Sequence, residues 1–74
     1  MTAKEMFEKL GYKYTTHNLF GLVKNIFIYD ENHKFATFWF GTNNNTLFGC
    51  NKDVVTIDEF KAIQKQIEEL HWNE

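Results

Sequence analysis

The amino-acid sequence predicts a small α+β domain with the element order α-β-β-β-β-α, in which both helices lie on one face of a mainly antiparallel sheet. In residues 26–40, two runs of β-branched and aromatic residues flank a polar tetrapeptide, which is the pattern of an antiparallel hairpin. Helix-start motifs begin at Thr2 and Thr56, near the two ends of the chain. A length of 74 residues predicts one domain over residues 1–74.

The first helix is predicted at residues 3–10. Thr2 and Glu5 fit a capping box, in which the Thr hydroxyl accepts from the third helical amide and the Glu carboxylate returns to the cap amide. Gly11 stands where a left-handed residue ends a helix. The apolar residues at helical spacing are Ala3, Met6, Phe7 and Leu10. Because two helical turns are not stable alone in water, this stripe is expected to lie on the sheet.

The first strand is predicted at residues 12–17. Tyrosine and threonine alternate there with Lys13, Thr15 and His17, which predicts an edge strand with one solvated face. In the connection that follows, Leu19 and Phe20 are expected to close one end of the core.

The hairpin turn is predicted at residues 30–33, between the two apolar runs. After the hairpin, residues 41–45 contain Gly and Asn, which tolerate the positive φ of a turn. A short strand at residues 46–50 is then expected to complete a four-stranded sheet.

The second helix is predicted at residues 57–71. Thr56 and Glu59 fit a second capping box, with acidic residues in the first turn, where the helix dipole favours them. The apolar residues at intervals of three and four are Phe60, Ile63, Ile67 and Leu70. This spacing is typical of a face packed on the core, and Trp72 is expected to fold back onto the domain.

Both faces of the hairpin are apolar, whereas a half-solvated antiparallel sheet alternates apolar with polar residues. With three residues unpaired in the turn, one face carries Ile26, Ile28, Ala36, Phe38 and Phe40. The other face then carries Phe27, Tyr29, Phe35 and Trp39. This is the register we expect. The alternative is a shift of one residue, which pairs the two sets differently.

Composition argues against several classes of function. The net charge is −2 and all eight basic residues are Lys, so the chain lacks both the basic stripe and the forked Arg donors typical of nucleic-acid binders. Cys50 is the only cysteine, which excludes an intrachain disulfide. No segment has the apolar length of a membrane span or the pattern of a secretion signal. We therefore expect a cytoplasmic protein.

The sequence contains no catalytic, cofactor-binding or metal-binding signature. The potential metal ligands His17, His33, Cys50 and His71 stand singly, without the paired spacing that preorganises a metal site. No Gly-rich phosphate loop is present. We expect a protein that is not an enzyme and that needs no cofactor or metal.

The second apolar face of the hairpin is the candidate site. Aromatic side chains without a basic rim fit the centre of a protein interface, where Trp, Tyr and Phe are enriched. The candidate interface residues are Phe27, Tyr29, Phe35 and Trp39. A protein partner, or a second copy of this chain in a homodimer, is the first hypothesis. The alternative is a small nucleotide-binding or signalling-molecule-binding protein that uses aromatic stacking.

The two ends of the chain, AKEMFEKLGY at residues 3–12 and FKAIQKQIEELHW at residues 60–72, resemble small uncharacterised proteins of phages and integrated elements of low-GC Gram-positive bacteria. Those proteins have a short helix, an antiparallel sheet and a long helix with a Leu-Gly-Trp-like tail, where this chain has His71 in place of the Gly. The resemblance implies an accessory gene of a mobile element whose product acts by binding host proteins. It carries over no catalytic or binding residue.

Overall fold

The computed structural model describes residues 1–19, 22–32, 35–41 and 47–72, with only the backbone of residues 18, 19 and 22–24. The elements are α1 (Ala3–Lys9), β1 (Tyr12–Leu19), β2 (Leu22–Asp30), β3 (Ala36–Gly41), β4 (Leu47–Cys50) and α2 (Ile57–Glu69). The strands form one antiparallel sheet in the order β1-β2-β3-β4. The predicted α+β class and the element order are confirmed.

Several boundaries differ from those predicted. Helix α1 ends at Lys9 instead of residue 10, and α2 ends at Glu69 instead of residue 71. β1 continues to Leu19 and β2 begins at Leu22, so residues 18 and 19, two of the four expected in the connection at residues 18–21, belong to a strand. The predicted closing of the core by the side chains of Leu19 and Phe20 lies outside the described part of the structure. The predicted turn at residues 42–45 and His33 of the hairpin turn also lie outside it.

The capping motifs predicted for the helices are present. Thr2 accepts from the amide of Glu5 at 3.1 Å and Thr56 accepts from that of Glu59 at 3.1 Å, and each Glu returns to its cap amide at 2.8 Å. Gly11 ends α1 with a φ of 94°. Its amide donates to the carbonyl of Glu8 at 3.0 Å.

The central hairpin pairs Ile26 with Phe40 and Ile28 with Phe38, as the preferred register requires. Beyond Ile28 the register shifts and Tyr29 pairs with Ala36. Thr37 is the extra residue of this bulge, and its carbonyl accepts from the amide of Asn51 at 2.7 Å. The expectation that Ala36 follows Phe38 by simple alternation is therefore wrong.

One hydrophobic core joins both helices to one face of the sheet. Its buried members are Phe7 of α1, Ile26, Ile28, Phe38 and Phe40 of the sheet, and Ala62 and Ile63 of α2. The ring of Phe7 lies 5.8 Å from that of Phe38 and meets Tyr12 edge to face at 6.2 Å. This core contains Ile26, Ile28, Phe38 and Phe40 of the hairpin strands and leaves Phe27, Tyr29 and Trp39 on the other side.

The packed face of α2 includes Ile63, Ile67 and Leu70, as predicted, but not Phe60. Ile63 is buried and Ile67 is half-buried, but Phe60 is 57% exposed. In its place Glu59 and Gln66 are buried, because they accept hydrogen bonds from the hydroxyls of two half-buried tyrosines of β1. These tyrosines are Tyr12, which donates to Glu59, and Tyr14, which donates to Gln66. The hydrogen bonds rotate the helix away from the face that apolar spacing alone predicts.

Glu59 is the centre of the polar contacts at the start of α2. Its carboxylate accepts from the Tyr12 hydroxyl, from the Thr56 amide, and from Lys52 Nζ at 2.7 and 2.8 Å. Burial alone would raise the pKa of Glu59, but the hydrogen bonds from Lys52, Tyr12 and Thr56 outweigh it and lower the pKa to about 2. Burial and the neighbouring carboxylate raise the pKa of Tyr12 to about 12.

The end of α2 is a Schellman turn. The amide of His71 donates to Glu68 at 3.0 Å, that of Trp72 donates to Ile67 at 3.1 Å, and His71 takes a φ of 60° at the position where a Gly is usual. The turn brings the Trp72 ring to 5.9 Å from that of Phe40. Trp72 folds back as expected, but it lies on the helix side of the sheet and does not cover the second face.

We predict that Ile63→Ala lowers the free energy of unfolding by about 2–5 kcal/mol, because it opens a cavity in the single core. Lys61→Ala, at an exposed position of the same helix, should change it by less than about 0.5 kcal/mol. Urea unfolding of the two variants measures both quantities. Equal losses would show that the core does not contact α2 through Ile63.

We predict that Glu59 makes the stability of the domain depend on acid. Its pKa in the folded chain, about 2, lies below the ordinary value of 4.5, so its contribution is complete above about pH 4.5 and is lost as the pH falls toward 2. Glu59→Gln should therefore lower the melting temperature most at pH 6, and the difference from the wild type should narrow toward pH 2. Glu68→Gln, on the exposed face, is the control and should show little difference at any pH. A constant gap for Glu59→Gln would contradict the assignment.

Candidate protein interface on the open sheet face

The sheet face opposite the helices, here called the open face, is built by direct cross-strand neighbours, which lie on the same side of a sheet. Thr15 pairs with Phe27, Phe27 with Trp39, and Trp39 with Gly49. One row of side chains therefore crosses all four strands. Lys13 pairs with Tyr29 in the next row.

Three aromatic side chains of the open face form a chain of ring contacts. The rings of His17 and Phe27 meet edge to face with centroids 4.8 Å apart, and those of Phe27 and Tyr29 are 6.3 Å apart. Such pairs stabilise a surface beyond the area that they bury. The cluster made of His17, Phe27, Tyr29 and Trp39 is called the aromatic patch below.

Trp39 lies directly over Gly49. A Cβ atom added to Gly49 would overlap the indole ring, so only glycine leaves room for the ring to rest on the backbone of β4. The indole is nevertheless 37% exposed, while Phe27 and Tyr29 are half-buried. In the patch, the rings of Phe27 and Tyr29 are thus half-buried, and the larger ring of Trp39 is exposed.

Polar residues of β1 border the patch. Lys13 and Thr15 form this border and, like His17 within the patch, are exposed on the open face, as the alternation in residues 12–17 predicts. Among the described side chains of this face, Lys13 is the only fixed cation. An aromatic centre with a polar border is the usual composition of a protein interface.

Three of the four predicted interface residues belong to one strand pair, Phe27 and Tyr29 on β2 and Trp39 on β3. Phe35 stands apart from them, because it precedes β3 in a bend and is 74% exposed. Sequence reasoning missed His17, although its alternation with Lys13 and Thr15 placed it on this face. It also missed Gly49, whose signal was a glycine inside a short strand.

Other chemically interesting groups are satisfied within the fold. The described residues contain no group of three His, Cys, Asp or Glu side chains that could hold a metal ion. The Cys50 thiol is 3.8 Å from the carbonyl oxygen of Lys52. Every buried side-chain nitrogen and oxygen in the described part of the chain has a hydrogen-bond partner.

An open groove of about 330 Å³ lies between the helices. It is lined by Met1, Met6, Lys9, Leu10, Asp58 and Lys61.

Neither described helix has the length and apolar character needed to cross a lipid bilayer. Comparison with protein-family models, curated proteins and solved structures finds no match to this chain.

Proposed function

We propose that this chain is a non-enzymatic interaction module that binds a second copy of itself through the aromatic patch of the open face. The proposal rests on one observation. The sheet is apolar on both sides, but the helices cover only one of them. The buried residues of both helices join the core on one side, while the other side presents the exposed Trp39 ring beside Phe27 and Tyr29. Monomeric proteins seldom leave large contiguous apolar patches in water.

A second copy fits the chemistry of the patch. Two copies related by a twofold axis would place the same patch on both sides of the contact, which is an isologous interface. Its centre, Phe27 with Trp39, contains no charge, so like charges do not oppose one another there. Lys13 and Thr15 lie toward the β1 side and can stay hydrated at the rim.

Nucleotide binding by aromatic stacking is less well supported. A nucleotide needs cationic donors for its phosphates, and Lys13 is the single fixed cation among the described side chains of the open face. The indole of Trp39 also rests on Gly49, so one of its faces is occupied by backbone.

The cellular setting is part of the same proposal. The resemblance of residues 3–12 and 60–72 to small proteins of phages and integrated elements supports an accessory role in a mobile element, in the cytoplasm of a bacterial host. A homodimer of this kind would act by contacting a host protein.

We predict that the wild-type chain dimerises in sedimentation equilibrium and that Trp39→Lys converts it to a folded monomer, because a buried, unpaired ammonium group opposes the contact. Leu10→Lys is the matched control, since both side chains are 37% exposed and Leu10 lies beside the groove between the helices. It should leave the dimer intact.

A wild type that stays monomeric at high micromolar concentration would refute the proposal. Loss of the dimer in Leu10→Lys to the same extent would also count against the patch. Circular dichroism of each variant verifies that the chain remains folded.

A further inference from the structure

Leu47 lies on the open face and continues its apolar surface onto β4. It pairs with Gly41 of β3, two residues beyond Trp39, and direct cross-strand partners lie on the same side of a sheet. The Leu47 Cβ atom is 3.5 Å from the position that a Cβ atom on Gly41 would take, which agrees with this side. Leu47 and Trp39 are diagonal neighbours, and such pairs lie about 7–8 Å apart, within reach of a large ring.

The open face is polar toward β1 and apolar toward β4. Its apolar side chains become more exposed across the sheet, from half-buried Phe27 on β2 to Trp39 on β3 and Leu47 on β4, which is 59% exposed. Lys13 and Thr15 stand on β1. A contact therefore gains most by burying β3 and β4, whereas burial of β1 would remove an ammonium group from water.

This asymmetry distinguishes between the possible twofold axes of a dimer. Sheets that stack face to face keep their strands aligned within about 30°, so the axis runs either across the strands or along them. An axis across the strands places β1, which carries Lys13, on β1 of the second copy. An axis along the strands between β2 and β3 places β1 on the apolar β4. An axis along β3 avoids both, because it leaves β1 outside the contact.

An axis along β3 also brings the exposed rings together. β3 then lies on β3 of the second copy, and β4 lies on its β2. Phe27, Trp39 and Gly49 belong to one row of the sheet. The indole that covers Gly49 therefore meets the Phe27 ring of the second copy, and aromatic pairs stabilise a contact beyond the area that they bury. Leu47, in the next row, packs on β2 of the second copy.

We propose that the dimer has its twofold axis along β3 and that Leu47 is buried in its contact. Strands β2, β3 and β4 of each copy form the interface, while Lys13 and Thr15 stay in water. This inference rests on the proposed dimer and adds to it the orientation of the two copies and an interface residue outside the aromatic patch.

Two lysine substitutions on the open face test this orientation by sedimentation equilibrium. Leu47→Lys places an ammonium group inside the contact, so the dimer Kd should rise about thirtyfold or more, the size of an interface hot spot. Thr15→Lys is the matched control, because Thr15 is also exposed and shares the row of Phe27 and Trp39, but lies on β1. It should change the Kd by less than about threefold, since charges in water are screened by salt.

A milder variant and the fold of each chain complete the experiment. Leu47→Ala only shortens an exposed side chain and should raise the dimer Kd about fivefold. Circular dichroism verifies that the variants remain folded.

The outcomes separate the orientation from the dimer itself. A wild-type chain that stays monomeric would overturn both proposals. A wild-type dimer that Trp39→Lys dissociates, but that both Leu47 variants leave unchanged, would overturn the orientation alone. A Kd for Thr15→Lys that rises as much as that for Leu47→Lys would place β1 inside the contact and would also overturn it.

Discussion

The structure depends on a mismatch between a sheet that is apolar on both faces and a helix layer that packs against one. The hairpin of β2 and β3 places Ile26, Ile28, Phe38 and Phe40 in the core and Phe27, Tyr29 and Trp39 on the other side. The two helices, of seven and thirteen residues, both pack against the first set. In so short a chain, part of the apolar surface therefore stays outside the core.

The buried polar contacts decide which apolar side chains are left outside. Tyr12 and Tyr14 need acceptors for their hydroxyls, and α2 supplies Glu59 and Gln66, seven residues apart on one face. Burial of these two residues turns Phe60 outward. The ion pair between Glu59 and Lys52 also ties the segment after β4 to the start of α2. One set of hydrogen bonds thus orients the helix and leaves the Phe60 ring exposed.

Local signals in the sequence predicted most of the fold. Both capping boxes, the left-handed Gly11, the pairing of Ile26 and Ile28 with Phe40 and Phe38, and the edge position of β1 follow from short-range patterns. The exposure of Phe60 on α2 did not follow, because apolar spacing gives no sign that Glu59 and Gln66 accept hydrogen bonds from tyrosine hydroxyls. The bulge at Thr37 also depends on tertiary contacts.

The sequence predicts which residues form the candidate site better than it predicts how they are arranged. Alternation along β2 and β3 placed Phe27, Tyr29 and Trp39 on one face, but it did not predict that the indole rests on Gly49. Phe35 was assigned to the same face on the assumption of regular pairing, and the bend before β3 separates it from the strand. The alternation of residues along one strand carries no information about the contacts of that strand with its neighbours.

The most direct test of dimerisation through the aromatic patch is an isotope-filtered NOE experiment on a mixture of labelled and unlabelled chains, which detects only protons that are close between two copies. A dimer held by this patch should give intermolecular cross-peaks from the rings of Phe27, Tyr29 and Trp39. Their absence at a concentration where the chain is dimeric, or cross-peaks from Phe60 and Phe48 alone, would contradict it.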